Sequence, residues 1–395
     1  MTASRNKPLK RILLIGMAGL CLLITGCWDR TEINDIAIII ATGVDKEEDG
    51  QYRITVQLPL PGQMGTTSGG GGGTGGDLSY YIDSETGRTF AEASENLQAR
   101  MSRALFSAHR RVLVVGESLA REDGISSIFD LAIRMPENRL TSYLIVAKGQ
   151  AWELMQAQPK FERFSGEAMR ELVHAPGMIR TNLKDIAQAM NTPGSDAIAV
   201  YMEVKESQKS LQPSEELEVI GYAQFKNDKM VDYFDRDSAS GLMLLRKWEG
   251  QRMTFKWRDN YVTVHIQAVH LRIDPQFENG RLKYNVSLRV EGNVIEDLTQ
   301  VDLRQQANIQ DLNEKVAEEI EKAVRNCIQK IVKNRADSVG FGKILSREYP
   351  RLWVEQYKEI WPEPLKDVEF TVNVFCEVER IGRTTTNISK KGDGT

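Results

Sequence analysis

The sequence predicts an α+β, multi-domain ectodomain that is anchored to a membrane by lipid, and three observations lead to that prediction. The chain has 395 residues, which is enough for two or three domains of about 150 residues each. An apolar run lies at the extreme N-terminus, directly before Cys27. The C-terminal half combines long alternating segments with one long amphipathic helical pattern, as expected for helices packed on mixed or antiparallel sheets.

The first 26 residues have the organisation of an export signal. Four basic residues between Arg5 and Arg11 precede an apolar stretch from Ile12 to Ile24. A helix needs roughly 20 apolar residues to span a bilayer, so this stretch is too short to remain as a membrane span. We therefore predict that residues 1–26 are a lipoprotein signal peptide that is removed.

The end of this segment predicts a lipid anchor. Ile24-Thr25-Gly26-Cys27 fits the bacterial lipobox, in which an aliphatic residue and two small residues precede a cysteine whose thiol receives diacylglycerol. We predict that Cys27 becomes the first residue of the mature chain and carries S-diacylglycerol and an N-acyl chain. Each buried methylene contributes about 0.8 kcal/mol, so two or three chains anchor stably. The alternative is an ordinary signal peptide that happens to contain a cysteine.

The charge balance supports this form of anchoring. Loss of the four basic residues of the signal changes the formal net charge from −4 to −8. An acidic ectodomain is a poor candidate for nucleic-acid binding or for general adhesion to anionic lipid, which leaves the acyl chains as the anchor. We expect a membrane location, on the outer side of the cytoplasmic membrane.

Residues 27–205 are predicted to form an N-terminal α+β domain. Its Gly-rich loop, 68–76, lacks the strand, the Gly-Lys-Ser/Thr ending and the helix of a phosphate-binding loop, so we interpret it as a flexible connection. Hydrophobic periodicity predicts strands at 35–41, 52–58, 110–116 and 140–147, and helices at 117–135, 166–174 and 183–190.

Residues 206–218 are polar and are predicted to be a linker to a C-terminal α+β domain, 219–383, followed by a flexible tail, 384–395. In this second domain, apolar residues recur every three or four positions over 300–336. We expect this long amphipathic helix to pack on the sheet of its own domain; pairing with a partner chain is the alternative. The remaining predicted elements are strands at 219–226, 230–234, 261–273, 282–294 and 368–378, and shorter helices at 240–248, 343–349 and 352–360.

Motifs for catalysis are missing from the sequence. It contains no His-Glu-x-x-His, Cys-x-x-Cys or Gly-x-Ser-x-Gly, and His265 and His270 are five residues apart on one predicted strand, which places them on opposite faces. We therefore predict no catalytic residue, no metal ligand, no cofactor and no enzymatic activity, and no residue is indicated for ligand binding. Cys327 and Cys376 are expected as buried thiols, with a disulfide between them as the alternative.

Several blocks of the chain resemble the Ger(x)C spore germination lipoproteins. The opening Cys27-Trp28-Asp29-Arg30-Thr31-Glu32-Ile33-Asn34-Asp35-Ile36-Ala37 looks like the start of that family. The segment from Arg134 to Tyr143 is similar to its central segment, and Gly340-Phe341-Gly342 with Arg380-Ile381-Gly382-Arg383-Thr384 is similar to its closing blocks. The blocks follow one another in order over nearly the whole mature chain.

The resemblance implies the C subunit of a nutrient germinant receptor in the inner membrane of a bacterial spore. Two membrane subunits are implied as its partners, one polytopic and transporter-like and one with a large soluble portion. The chain would then be a lipid-anchored, non-catalytic subunit that is needed for the germination response because it binds those partners. A lipid-anchored solute-binding protein that delivers a small molecule to a transporter is the alternative function, and a cell-envelope hydrolase is a further one.

Overall fold

The computed structural model describes residues 32–60, 79–134 and 137–380. The predicted signal peptide, Cys27, the Gly-rich loop 68–76 and the tail 384–395 lie outside the described residues.

An eight-stranded mixed sheet forms the first half of the fold. Its strand order is β10-β9-β8-β7-β6-β2-β3-β4, in which β2, β6, β7 and β8 are parallel and the outer strands pair antiparallel. The strands are β2 (Ala41–Lys46), β3 (Tyr52–Pro59), β4 (Tyr80–Gly87), β6 (Val112–Gly116), β7 (Tyr143–Ala147), β8 (Ile198–Glu206), β9 (Glu215–Lys226) and β10 (Lys229–Phe234). Beside this sheet, β1 (Ile36–Ile38) and β5 (Ala104–Phe106) form a separate parallel pair.

Helices cover both faces of the eight-stranded sheet, which explains why its central strands have nearly continuous apolar sequences. All five residues of β6 are buried. One face packs against α1 (Phe90–Gln98), α2 (Glu117–Glu122), α3 (Ser126–Arg134) and α6 (Leu183–Met190), and the other against α4 (Ala151–Gln156) and α5 (Ser165–His174).

A four-stranded sheet forms the second half, and the long helix packs on it as predicted. The sheet has the order β11-β12-β13-β14, with β11 (Arg252–Trp257), β12 (Asn260–Glu278), β13 (Arg281–Asp297) and β14 (Glu369–Arg380). Helix α8 (Gln306–Asn334) buries the predicted stripe from Leu312 to Ile331 against this sheet, and α7 (Arg236–Leu245) packs beside it. Helix α9 (Phe341–Glu348), a short helical segment (Pro350–Leu352) and a π-helix (Trp353–Tyr357) complete this half. The predicted α+β class is confirmed.

The structure differs from the sequence prediction at the linker. Val204 pairs with Leu217, and Glu206 with Glu215, so most of 206–218 is a β-hairpin inside the eight-stranded sheet. Strands β9 and β10 therefore complete the first sheet, although most of β9 and all of β10 lie beyond the predicted linker. The polar composition that suggested a linker belongs to an exposed turn, where Leu211 is fully exposed.

Candidate functional site

The predicted lipidation site, Cys27, lies outside the described residues, so its role remains a prediction. Within the described part of the chain, we consider two groups of charged side chains. The first group is the buried carboxylates, which stabilise the fold, and the second lines an open pocket with basic side chains.

Asp45 forms the first carboxylate centre at the end of β2. It is fully buried, and its two oxygens accept the backbone N–H groups of Ala151 (2.6 Å) and Trp152 (3.1 Å) at the start of α4. These N–H groups have no partner within the helix, so the carboxylate satisfies them. Burial raises the pKa of Asp45 to about 6, against the opposing effect of the two N–H donors.

Asp337 forms the second centre, just before α9. Its carboxylate accepts the backbone N–H groups of Gly340 (2.8 Å), Phe341 (2.9 Å) and Gly342 (2.8 Å), and also the indole N–H of Trp361 (3.0 Å). Burial raises its pKa to about 6. The Gly340-Phe341-Gly342 block that supports the family resemblance is thus a cradle for this aspartate.

Asp196 connects this cradle to the eight-stranded sheet. One of its oxygens accepts the N–H of Asp337 (2.6 Å), and the other accepts the N–H of Asn227 (3.0 Å) in the turn between β9 and β10. Gly194 lies so close to Gly342 that a Cβ on it would be 2.5 Å from the carbonyl carbon of Gly342. The two halves of the molecule are therefore joined by tightly packed backbone, and these carboxylates organise structure instead of facing a ligand.

The pocket lies at the edge of the eight-stranded sheet where β6 and β7 begin. We call it the basic pocket and define it by Arg110, Arg111, Arg139, Arg170, His109 and His174. Its volume is about 240 Å³, and no acidic residue lines it among the described residues. Arg110 and Arg111 directly precede β6, and Arg139 precedes β7. Arg170 and His174 belong to α5. Backbone pairing holds these segments together, because the N–H of Tyr143 donates to the carbonyl of Arg111 (3.0 Å).

Arg110 is the unusual residue of the basic pocket. Its Nε and Nη2 atoms are buried and have no hydrogen-bond partner among the described residues. Burial lowers the pKa of its guanidinium to about 10. By contrast, Arg170 lies 2.7 Å from Glu167 and also pairs with Glu171, while Arg111 lies 3.5 Å from Glu167. The sequence did not predict this pocket because its lining residues come from three separate segments. The pair Arg110-Arg111, directly before a buried strand, was the one sequence feature that pointed to it.

The two histidines of β12 correct one prediction. An irregularity in strand pairing between Ile266 and Ala268 shifts by one residue the alternation of side chains between the two faces of β12. Val264 and Ile266 are buried before the irregularity, and Val269 is buried after it. His265 and His270 therefore lie on the same, outer face instead of opposite faces. No group of three potential metal ligands occurs among the residues that the structure describes.

Cys327 and Cys376 are both buried and both free, so the disulfide alternative is excluded. Burial raises the pKa of each thiol, which keeps both protonated at neutral pH. In the described ranges, no helix is long and apolar enough to cross a membrane.

Comparison with known proteins identifies the family. The family model "Spore germination protein N-terminal domain" matches residues 29–204, and the model "Spore germination B3/GerAC like, C-terminal" matches residues 220–382. The chain belongs to the GerAC, or Ger(x)C, family of spore germination proteins. It is 33% identical to YfkR of Bacillus subtilis (strain 168) over 293 residues, which cover 72% of this chain and 75% of that protein.

Other members of the GerAC family are more distant. Spore germination protein KC of Bacillus subtilis (strain 168) is 27% identical over 304 residues, which cover 72% of this chain and 74% of that protein. A solved structure, the crystal structure of the GerBC protein, matches with a TM-score of 0.57 at 20% identity, over 85% of this chain and 96% of that one. This GerAC-family chain therefore has the GerBC fold.

Proposed function

We propose that this chain is the lipid-anchored, non-catalytic subunit of a spore nutrient germinant receptor, located on the outer side of the spore inner membrane. It is required for the germination response because it binds the two membrane subunits of the receptor. The observation that carries the proposal is the match of both GerAC family models in order along the chain, with the first match starting at residue 29. The family match thus begins two positions after the lipobox cysteine.

The anchor determines how the subunit acts. Ile36, where β1 begins, is nine positions after Cys27, and an extended chain of nine residue steps reaches at most about 30 Å. The folded ectodomain is therefore held close to the membrane surface. Such tethering raises its effective concentration near membrane partners, so modest binding surfaces suffice.

The anchor is tested by replacing Cys27 with alanine in the spore-forming host. Without the thiol, diacylglycerol has no acceptor, so the Cys27→Ala chain should incorporate no labelled fatty acid and should be lost from the spore membrane fraction. Cys21→Ala is the matched control, since it removes a cysteine from the signal segment and should leave labelling unchanged. Normal labelling of the Cys27→Ala chain would refute lipidation at this residue.

Partner binding is tested by affinity capture from detergent-solubilised spore membranes. A C-terminally tagged chain should bring down the two membrane subunits, and the Cys27→Ala chain should bring down much less of both. Spores that carry Cys27→Ala should also germinate more slowly with one set of nutrients. Capture of neither membrane subunit by the lipidated chain would contradict the receptor assignment.

A further inference from the structure

We infer that the basic pocket binds a phosphate group. The proposal starts from Arg110, whose buried Nε and Nη2 atoms have no partner among the described residues. Burying a guanidinium without a counter-ion costs several kcal/mol, and such groups are normally paired. A site that keeps this charge unpaired while opening to solvent is organised to receive an anion.

The neighbouring charges show which kind of anion fits. Glu167 neutralises part of the charge of Arg111 and Arg170, but Arg139 has no acidic partner among the described residues. Two guanidinium groups thus remain available, and their planar forks suit the oxygens of a phosphate. The volume of about 240 Å³ accommodates a phosphate group with a small substituent.

A free amino acid fits the basic pocket poorly. Its carboxylate could bind an arginine, but its ammonium group would need an acceptor of negative charge. No acidic residue lines the pocket in the described part of the chain. The excess of positive charge therefore favours an anionic ligand that carries no cationic group of its own. Inorganic phosphate, a phosphate ester and an anionic phospholipid meet this condition.

The position of the basic pocket allows a lipid source for the phosphate. The N–H of Arg111 donates to the carbonyl of Ile40 (2.7 Å), the residue directly before β2. The pocket therefore lies at the end of the sheet where the chain leads from β1 into β2, and Ile40 is 13 residues after Cys27 in the sequence. A lipid source rests on the proposed anchoring, whereas phosphate chemistry as such does not. The net charge of −8 opposes general adhesion to anionic lipid, but a single local site is compatible with it.

The test uses the lipidated mature chain in a non-ionic detergent, with calorimetric titration and thermal unfolding at constant ionic strength. Inorganic phosphate and dihexanoyl phosphatidylglycerol are the two probes. The wild type should bind at least one of them and unfold at a higher temperature in its presence. Binding of phosphate indicates a soluble source, and binding of the phosphatidylglycerol alone indicates a lipid source; both support the site.

The deciding variant is Arg110→Met, which keeps the length of the side chain but removes the charge. It should bind the probe at least 10-fold more weakly, as expected for losing one charge-assisted contact. Without probe it should unfold at the same temperature as the wild type or higher, because an unpaired buried charge has been removed. Arg139→Met, at the exposed rim, should also weaken binding, and the exposed Arg351→Met is the control outside the pocket.

Two results would overturn the site: no binding of either probe by the wild type, or binding by both Arg110→Met and Arg139→Met that is as tight as that of the wild type. A clear loss of stability of Arg110→Met without probe would also contradict it, since that would assign a structural partner to Arg110. Capture of the membrane subunits by these same variants keeps the two proposals separate. If capture succeeds and probe binding fails, only the phosphate site is lost.

Discussion

At the scale of single residues, buried carboxylates determine local structure in this protein. Asp45 and Asp337 each collect backbone N–H groups at the beginning of a helix, α4 and α9 respectively. Loss of hydration raises the pKa of each carboxyl group, and the backbone N–H donors lower it. The effect of burial is the larger one, so both pKa values are about 6. Both carboxylates are closed off from solvent, so we assign them to folding.

The raised pKa of Asp45 predicts a specific pH dependence. Since its folded pKa of about 6 exceeds the usual 3.8, the folded state binds more protons than the unfolded state between these values. The contribution of Asp45 to the free energy of unfolding is therefore present below about pH 4 and is lost as the pH rises through about 6. The loss should be on the order of 2–3 kcal/mol.

The measurement compares the free energy of unfolding of the wild type and Asp45→Asn in denaturant between pH 4 and pH 7. Asparagine does not titrate and can accept only one of the two N–H groups well, so the advantage of the wild type should shrink as the pH rises. An advantage that grows with pH would show that the N–H donors outweigh burial and lower the pKa instead.

At the scale of secondary-structure elements, the close contact of α7 with α8 fixes the position of the long helix. A Cβ on Gly241 of α7 would lie 2.0 Å from the carbonyl oxygen of Ala323 in α8 and 2.9 Å from Cβ of Cys327. Only glycine permits this distance. The contact links α8 to the part of the chain that directly follows β10.

Gly241→Ala should therefore destabilise the protein by about 3 kcal/mol, because a backbone atom of a long helix has to move. Gly280→Ala is the control: this glycine is in the turn between β12 and β13 with φ of +78° and no atom within 4 Å of its Cβ position. It should cost about 1 kcal/mol through backbone strain alone. Equal midpoints in chemical denaturation for the two variants would contradict the close packing.

At the scale of the whole molecule, the two family domains share one sheet and one core. Residues 215–234 belong to the C-terminal part of the sequence, but they form β9 and β10 of the first sheet. One hydrophobic cluster runs from Val112 in β6 through Tyr222 in β9 to Leu242 in α7 and Val316 in α8. The hydrophobic core therefore continues across the boundary between the two family models.

This sharing predicts how fragments behave. A fragment of residues 28–205 lacks β9 and leaves the buried residues of β8, such as Val200 and Met202, at an open edge, where unpaired strands aggregate. A fragment of residues 28–235 retains β9 and β10 and should be more soluble and more resistant to limited proteolysis. Equal solubility and protease resistance of the two fragments would indicate that the first unit folds without the hairpin.

Much of this architecture could be predicted from periodicity. The helix at 183–190 matches α6 from Leu183 to Met190, and the buried strand at 110–116 corresponds to β6. Strand β4 was not predicted because its sequence, Tyr80–Gly87, has few apolar residues and lies at a sheet edge. The predicted helix over 117–135 is divided into α2 and α3 at Gly124, which has φ of +82°.

The sequence by itself determined the fold class, the long helix on its sheet, the absence of familiar catalytic motifs and the membership of the GerAC family, because these depend on local periodicity and on ordered motifs. Only the tertiary structure decided that 206–218 is a hairpin, that His265 and His270 share a face, and that arginines from three segments meet around Arg110. The hairpin and the bulge depend on how each strand pairs with its neighbour, and the pocket depends on segments that are far apart in the chain. Hydrophobic periodicity does not report these pairings, and the arginine pair before β6 does not by itself show which other segments meet it, so the basic pocket was visible only in the tertiary structure.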